Sequence, residues 1–165
     1  MTGTGKVKVW KDSVLQSYTN AWGNVTTLRQ RKCNETGCKR ICQVEKCTDH
    51  LDQVLGLQIR TSTISGAGFG LFATRDFAKK TTIAKFRGKA VKSAPITKKE
   101  YVVWRGKGKY YDCSVERCSA AYANTRKSKN NSELVVSKCK CFLTSTKAIK
   151  AGQEIFVPYG QSYTF

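Results

Sequence analysis

Between Ser65 and Phe77 the sequence reads SGAGFGLFATRDF, with glycine at 66, 68 and 70 and an apolar stretch directly behind. Each glycine inside a helix costs about 1 kcal/mol relative to alanine, so three in five positions point to a turn. Glycine-rich loops that cradle phosphate open a long helix, whereas here a strand-like pattern rich in Phe and Thr follows. On local sequence two readings stand. One is a tight β-hairpin turn, and the other is a loop that brings bare backbone against a ligand.

The rest of the chain is punctuated in the same way. From Leu55 onward the segments LGLQIRTST, GLFATRDF, TTIAKFRGKAV, KYYDCS, ELVVSKCKCFLTST and EIFVPYG are strand-like and separated by turns rich in Gly, Lys and Asn. This pattern predicts a mostly β domain with irregular loops, and 165 residues suit one domain with a small flanking module. Residues 95–104 and 117–125 are candidates for short helices. Residues 1–32 mix short alternating pieces with polar residues and read as a weakly determined strand or arm. If 133–146 runs as a strand, Val135, Cys139, Cys141 and Leu143 share one face and Lys138 and Lys140 the other. Cys139 and Cys141 are then expected as small core thiols.

Charge narrows the partners. Thirty Lys and Arg stand against eleven Asp and Glu, a net charge of +19. Residues 55–165 hold twenty-one of these basic and six of the acidic side chains. Such an excess predicts attraction to polyanions, with nucleic acid first and an anionic membrane surface second. No apolar run reaches the ~18 residues of a membrane span. The opening MTGTGKVKVWKDS lacks the apolar centre of a signal peptide, so an intracellular protein is expected. In a reducing compartment the eight cysteines read as metal ligands or buried thiols. Four of them, Cys33, Cys38, Cys42 and Cys47, fall within fifteen residues. Four thiolates can close a tetrahedral structural zinc site, and a metal would fold an arm with little apolar content. Core thiols and disulfides are the competing readings. His50 follows the cluster and is expected at the surface. Cys113 and Cys118 carry no assignment.

Five ordered segments resemble those of the SET-domain protein lysine methyltransferases. GFGLFATRDFAKK, residues 68–80, is similar to that family's glycine-aromatic-glycine segment and the FA-x-RD run behind it. IAKFRGK (83–89), YYDC (110–113), AYANTRKSKN (121–130) and STKAIKAGQEIFVPYG (145–160) resemble the four segments that follow in the family, in the same order. The sequence departs from the family pattern at Thr125, usually His, at Phe86, often Tyr, and at Pro158, usually acidic. Lys85 and Lys89 stand where the family usually has Glu.

The resemblance implies a mostly β, SET-like β-clip of several small sheets, with a pseudoknot-like crossing and a few short helices. It implies an N-terminal arm with a cysteine-rich module over 1–54, a catalytic domain over 55–160 and an aromatic tail over 161–165. It further implies S-adenosylmethionine as methyl donor, held by Gly66, Ala67, Gly68, Phe69 and Asn124, with Phe165 of the tail folding over it. Tyr159 matches the family's terminal tyrosine, whose hydroxyl points at the transferring methyl. The competing reading is a core tyrosine with a satisfied hydroxyl. Phe86, Tyr111, Phe156 and Val157 are expected to wall a channel for the acceptor lysine. The implied substrate is a histone or another basic nuclear protein, with nucleic acid as an electrostatic contact and a nuclear, chromatin-associated location. The alternative is a SET-like module without catalysis that binds nucleic acid or chromatin through its basic surface.

Overall fold

The computed structural model describes residues 12, 17–19, 23, 25–92, 102–159 and 163–164. Two short antiparallel pairs come first, β1 (Ser17–Thr19) with β2 (Val25–Thr27) and β3 (Arg31–Lys32) with β4 (Ile41–Cys42). Helix α1 (Thr48–Leu55) follows. Cys47 sits at its N-cap, the Asp12 carboxylate accepts from the Thr48 amide, and Gly56 ends it in the left-handed region at φ 67°. A carboxylate at this end satisfies an otherwise orphaned donor and suits the helix dipole. Leu51 is the residue α1 buries.

Three small antiparallel sheets then form the body. The first contains β5 (Leu57–Thr61) and β6 (Phe69–Ala73). The second opens with β7 (Thr82–Phe86), and the third contains β8 (Lys89–Val91), β9 (Val102–Gly106) and β10 (Lys109–Asp112). A 3-10 helix, Ser119–Tyr122, leads toward β11 (Ser132–Ser137) and β12 (Lys140–Ser145), which complete the second sheet in the order β11-β12-β7. β13 (Glu154–Ile155) joins β6, and β14 (Tyr163–Thr164) pairs with β9 at Tyr163↔Val103. Period-2 alternation explains the packing. Leu57 and Ile59 of β5, Leu71 of β6, and Cys141 and Leu143 of β12 all turn into one core with Phe86, Ile149 and Ile155. This is the mostly β architecture of small sheets that the resemblance implied.

A crossing near the C-terminus ties these sheets together. Asn124 and Phe156 form a parallel bridge, and the Val157 amide donates to the Asn124 carbonyl at 2.8 Å. Asn131 clamps the same strand from the other side. Its Nδ2 donates to the Glu154 carbonyl, and its Oδ1 accepts from the Phe156 amide. The chain from 154 to 157 therefore runs between β6 and the 124–132 segment.

Three expectations need correction. Residues 102–106 are strand β9, so the helix suggested for 95–104 does not extend there, and 93–101 lie outside the described residues. The suggested helix over 117–125 is a four-residue 3-10 turn. The stretch 133–146 is a hairpin, turning at Lys138 and Cys139 with φ of 49° and 57°. Val135 accordingly faces solvent, and Cys139 sits half-buried in the turn. The inward face belongs to Leu134, Val136, Cys141 and Leu143. Two successive positive φ values make a type I′ turn, normally marked by Asn-Gly, and Lys-Cys gives no such signal.

Gly70 is where the crossing is tightest, since a Cβ there would lie 2.2 Å from Glu154 Oε1 and 3.2 Å from Asn124 Nδ2. A Gly70→Ala substitution is expected to cost about 1–3 kcal/mol, as overpacking does in a filled core, measured by urea denaturation.

Candidate functional site

The three glycines of the 65–77 stretch do different work. Gly66 and Gly68 lie in the left-handed region, at φ 77° and 72°, and among the described residues no atom lies within 4 Å of where a Cβ would stand on either. The turn is closed by the Ala67 amide on the Ile64 carbonyl and by the Ser62 amide on the Gly68 carbonyl, at 3.2 and 2.8 Å. On the side where a Cβ would stand, Gly66 and Gly68 are thus uncovered among the described residues, as a ligand cradle requires. Gly70, by contrast, permits close packing on Glu154.

That packing builds a polar network. Glu154 is only 5% exposed, and its carboxylate accepts from Ser62 Oγ (2.6 Å), Thr63 N (2.8 Å) and Asn124 Nδ2 (3.2 Å). Thr63 Oγ1 also donates to it. Asn124 Nδ2 further donates to the Phe69 carbonyl at 3.1 Å. One residue earlier, the Ala123 carbonyl accepts from the Tyr159 hydroxyl at 3.1 Å. The glycine turn and the phenol therefore meet at two consecutive residues, Ala123 and Asn124. Gly66, Ala67, Gly68, Phe69, Asn124 and Tyr159 all belong to this assembly. Phe165 lies outside the described residues, and the tail is described only at the backbone of 163–164, beside β9.

The four expected channel residues all lie among the described residues. Phe86 and Tyr111 line a hollow of about 20 Å³ with Cys141. Arg105 lies 4.7 Å over the Tyr111 ring. Phe156 lines a separate, open hollow of about 540 Å³. Val157 is fully buried.

In the N-terminal module the donor set differs from the expected one. Cys33, Cys38, Cys47 and His50 bring one donor atom each to within 4.8 Å of one another. Cys42 is outside the set and instead donates its thiol to the Val44 carbonyl at 3.2 Å. Burial pushes Cys42 up to about 12, as suits a core thiol. His50 is half-buried, not a surface residue, with Nδ1 3.4 Å from Cys33 Sγ and 3.3 Å from Cys47 Sγ. A tetrahedral zinc with ordinary Zn–S and Zn–N bonds spaces sulfur and nitrogen about 3.6 Å apart, so three thiols and one imidazole at these distances are compatible with zinc. Burial pushes the Cys33 thiol up. Hydrogen bonds from the Cys47 and Glu35 backbone, with His50 and Cys38, outweigh it and bring it down to about 7. A ready thiolate is what a metal site needs.

His50, Glu154 and Ala123 were missed by sequence reasoning. Cys47 and His50 are three apart at a helix start, a spacing that puts both on one face, and that signal was available. Glu154, an acid heading the apolar run EIFV, was the signal for a buried carboxylate. Ala123 acts through its carbonyl and carries none. Cys113 and Cys118 both secure Arg87. The Cys113 thiol donates to its carbonyl and the Arg87 amide approaches Cys118 Sγ, at 3.2 and 3.4 Å. The module is fastened to the site's own support, because Glu45 accepts from the Ser119 amide at 2.8 Å and from its hydroxyl.

Comparison with known proteins agrees with this geometry. The SET domain family model matches residues 68–160. No curated protein matches the sequence. Among solved structures, a Chaetomium thermophilum Polycomb Repressive Complex 2 in an autoinhibited conformation bound to S-adenosylmethionine is similar at 19% identity and TM-score 0.56. The match covers 67% of this chain and 16% of that one. A humanized mutant of the same complex, bound to an inhibitor, gives 19% identity and TM-score 0.57 over 66% of this chain and 15% of that chain. The methyltransferase domain of human PR domain-containing protein 2 gives 18% identity and TM-score 0.55 over 67% of this chain and 82% of its own. At such identities the likeness speaks for the fold.

If Cys33, Cys38, Cys47 and His50 hold zinc, metal analysis of purified protein should find one ion per chain. His50→Ala should lower that content, while Cys42→Ser should leave it intact. Equal loss in both variants would return Cys42 to the donor set.

Proposed function

Since the chain belongs to the SET-domain family, we propose that it transfers a methyl group from S-adenosylmethionine to the side-chain amine of a protein lysine. The observation that carries this reading is the meeting of the glycine turn and the Tyr159 phenol at Ala123 and Asn124. When bound, S-adenosylmethionine supplies an electrophilic methyl on a sulfonium. Backbone at Gly66, Ala67, Gly68 and Phe69 would hold its amino-acid end and Asn124 would fix the turn that does so. Methyl transfer to an amine is an in-line displacement, so alignment is the main task and can lower the barrier by ~7–11 kcal/mol. Ala123 and Tyr159 present a carbonyl oxygen and a phenol oxygen side by side. Two such dipoles can orient an incoming amine or polarised methyl without a general base.

The acceptor must lose its proton first, against an unperturbed lysine pKa of about 10.4. The buried aromatic residues Phe86, Tyr111 and Phe156 would favour the neutral amine by withholding water, as desolvation does. Tyr159 is the proposed catalytic residue, with Phe86, Tyr111, Phe156 and Val157 as candidates for the acceptor's surroundings. A histone or another basic nuclear protein is the proposed substrate class, and a chromatin location follows from it. Free cationic tails are repelled by a chain of net charge +19, so a substrate already on nucleic acid suits this enzyme better. Zinc at Cys33, Cys38, Cys47 and His50 is proposed as structural, in a module over 1–54 attached to a catalytic domain over 55–160.

The test is incubation with labelled S-adenosylmethionine and either nucleosomes or core histones, read by gel and mass spectrometry. Labelled lysine is the expected result. Tyr159→Phe should be roughly tenfold slower or worse, since one hydrogen bond of about 1.4 kcal/mol in the transition state amounts to tenfold. Equal rates in the two proteins would remove Tyr159 from the chemistry. Cofactor binding with no transfer by either would favour a SET-like module that binds chromatin without catalysis.

A further inference from the structure

The described ion pairs engage Arg29, Arg40, Lys46 and Lys150. Four other cations, Arg60, Arg126, Lys129 and Lys147, converge on the open hollow of about 540 Å³ without any of those partners. Its one acid is Glu154, whose carboxylate is already occupied by Ser62, Thr63 and Asn124. Among the described lining residues the hollow thus sets four cations against a single carboxylate, an excess of positive charge.

The rims are held firmly. Arg60 donates to the Gly152 carbonyl at 3.1 Å and lays its guanidinium 4.0 Å over the Phe72 ring. The Arg126 amide donates to Asn130 Oδ1, and the Lys129 amide to the Arg126 carbonyl, at 3.1 and 2.7 Å. The loop carrying Lys147 is tied to the opposite rim by the Thr146 amide on the Asn131 carbonyl at 2.9 Å. Cations on preorganised backbone lose less entropy when they bind. The floor offers little to a protein partner. Phe72 and Phe156 are only 2% and 5% exposed, so no apolar anchor is presented. Charge and planar guanidinium forks without an apolar anchor suit a phosphodiester chain, which repeats its anions at close spacing along its whole length.

We infer that this hollow is a docking groove for the phosphate backbone of duplex nucleic acid. It shares Thr63 and Glu154 with the network around Asn124, so nucleic acid lying in it passes beside the proposed methyl-transfer site. The inference extends the reading of a substrate carried on nucleic acid but does not require methyl transfer, and binding is measured without cofactor.

Fluorescence anisotropy of the full chain with a labelled 20-base-pair duplex, titrated at several salt concentrations, tests it. The triple variant Arg126→Ala/Lys129→Ala/Lys147→Ala should flatten the slope of log K against log salt by about 3 and weaken binding about tenfold to a hundredfold near 0.15 M salt. Lys39→Ala/Lys79→Ala/Lys109→Ala, which removes the same charge from exposed sites elsewhere, should change the slope far less. Single variants Arg126→Ala and Lys147→Ala, on separate loops, should each lower it by about 1, which keeps the test decisive if the triple variant misfolds. Equal losses in the two triples would overturn the inference, because the attraction would then be diffuse. Tighter binding of labelled polyglutamate than of duplex, lost in the groove triple, would overturn it in favour of an acidic protein.

Discussion

A carboxylate buried as deeply as that of Glu154 has to be hydrogen-bonded, and the structure around the glycine turn is arranged to meet that demand. Ser62 and Thr63 approach it from the two positions directly after β5, and Asn124 approaches it from the segment before the crossing. Gly70 is bare where any side chain would collide with it. Each donor lost would leave a buried polar atom unsatisfied at about 1–3 kcal/mol, so the two halves of the site are held in one register. From Asn124 the backbone reaches Val157, and from Ala123 it reaches Tyr159. The phenol's position therefore depends on a carboxylate five residues before it in the sequence.

The N-terminal module bears on the same segment. Arg29 and Arg31 bond the carbonyls of Val115 and Arg117, and Glu45 takes both donors of Ser119, at the start of the 3-10 helix that ends just before Ala123. The module's own buried cluster is little more than Cys33, Cys42 and Cys47, with Cys38 against it. Leu28, Val44 and Leu51 of the module join the main core, and a metal held by its cysteine and histidine donors would add to the order that passes to residues 115–123.

Much of the architecture was legible because its signals are local. Strands β5, β7, β8, β10, β12 and β13 lie within the strand-like segments marked by turn residues, β6 and β11 begin one residue ahead of theirs, and the ordered motifs from Gly68 to Gly160 pointed to the SET family. What escaped had no local signal. The Lys138–Cys139 turn adopts two positive φ values without glycine or asparagine, so the hairpin read as one strand and Val135 was turned inward. Residues 102–106 carry the β-branched pair Val102–Val103 beside Trp104, a strand signal obscured by the helix-like run before it. Cys42 and His50 exchanged roles because cysteine counting favours four thiols, whereas the start of α1 places an imidazole three residues after Cys47. The Ala123 carbonyl is a backbone group, and no side-chain pattern could announce it.

The central claim is that Asn124, locked to Glu154, assembles a methyl-donor site from the glycine turn and the crossing. Titration calorimetry of S-adenosylmethionine against the wild-type chain and Asn124→Ala, each checked for native folding by circular dichroism, tests it most directly. The account predicts one molecule bound per wild-type chain and affinity at least about tenfold weaker in the variant, the equivalent of about 1.4 kcal/mol. Absence of binding heat in the wild type at any temperature, or unchanged affinity in a folded Asn124→Ala chain, would contradict it.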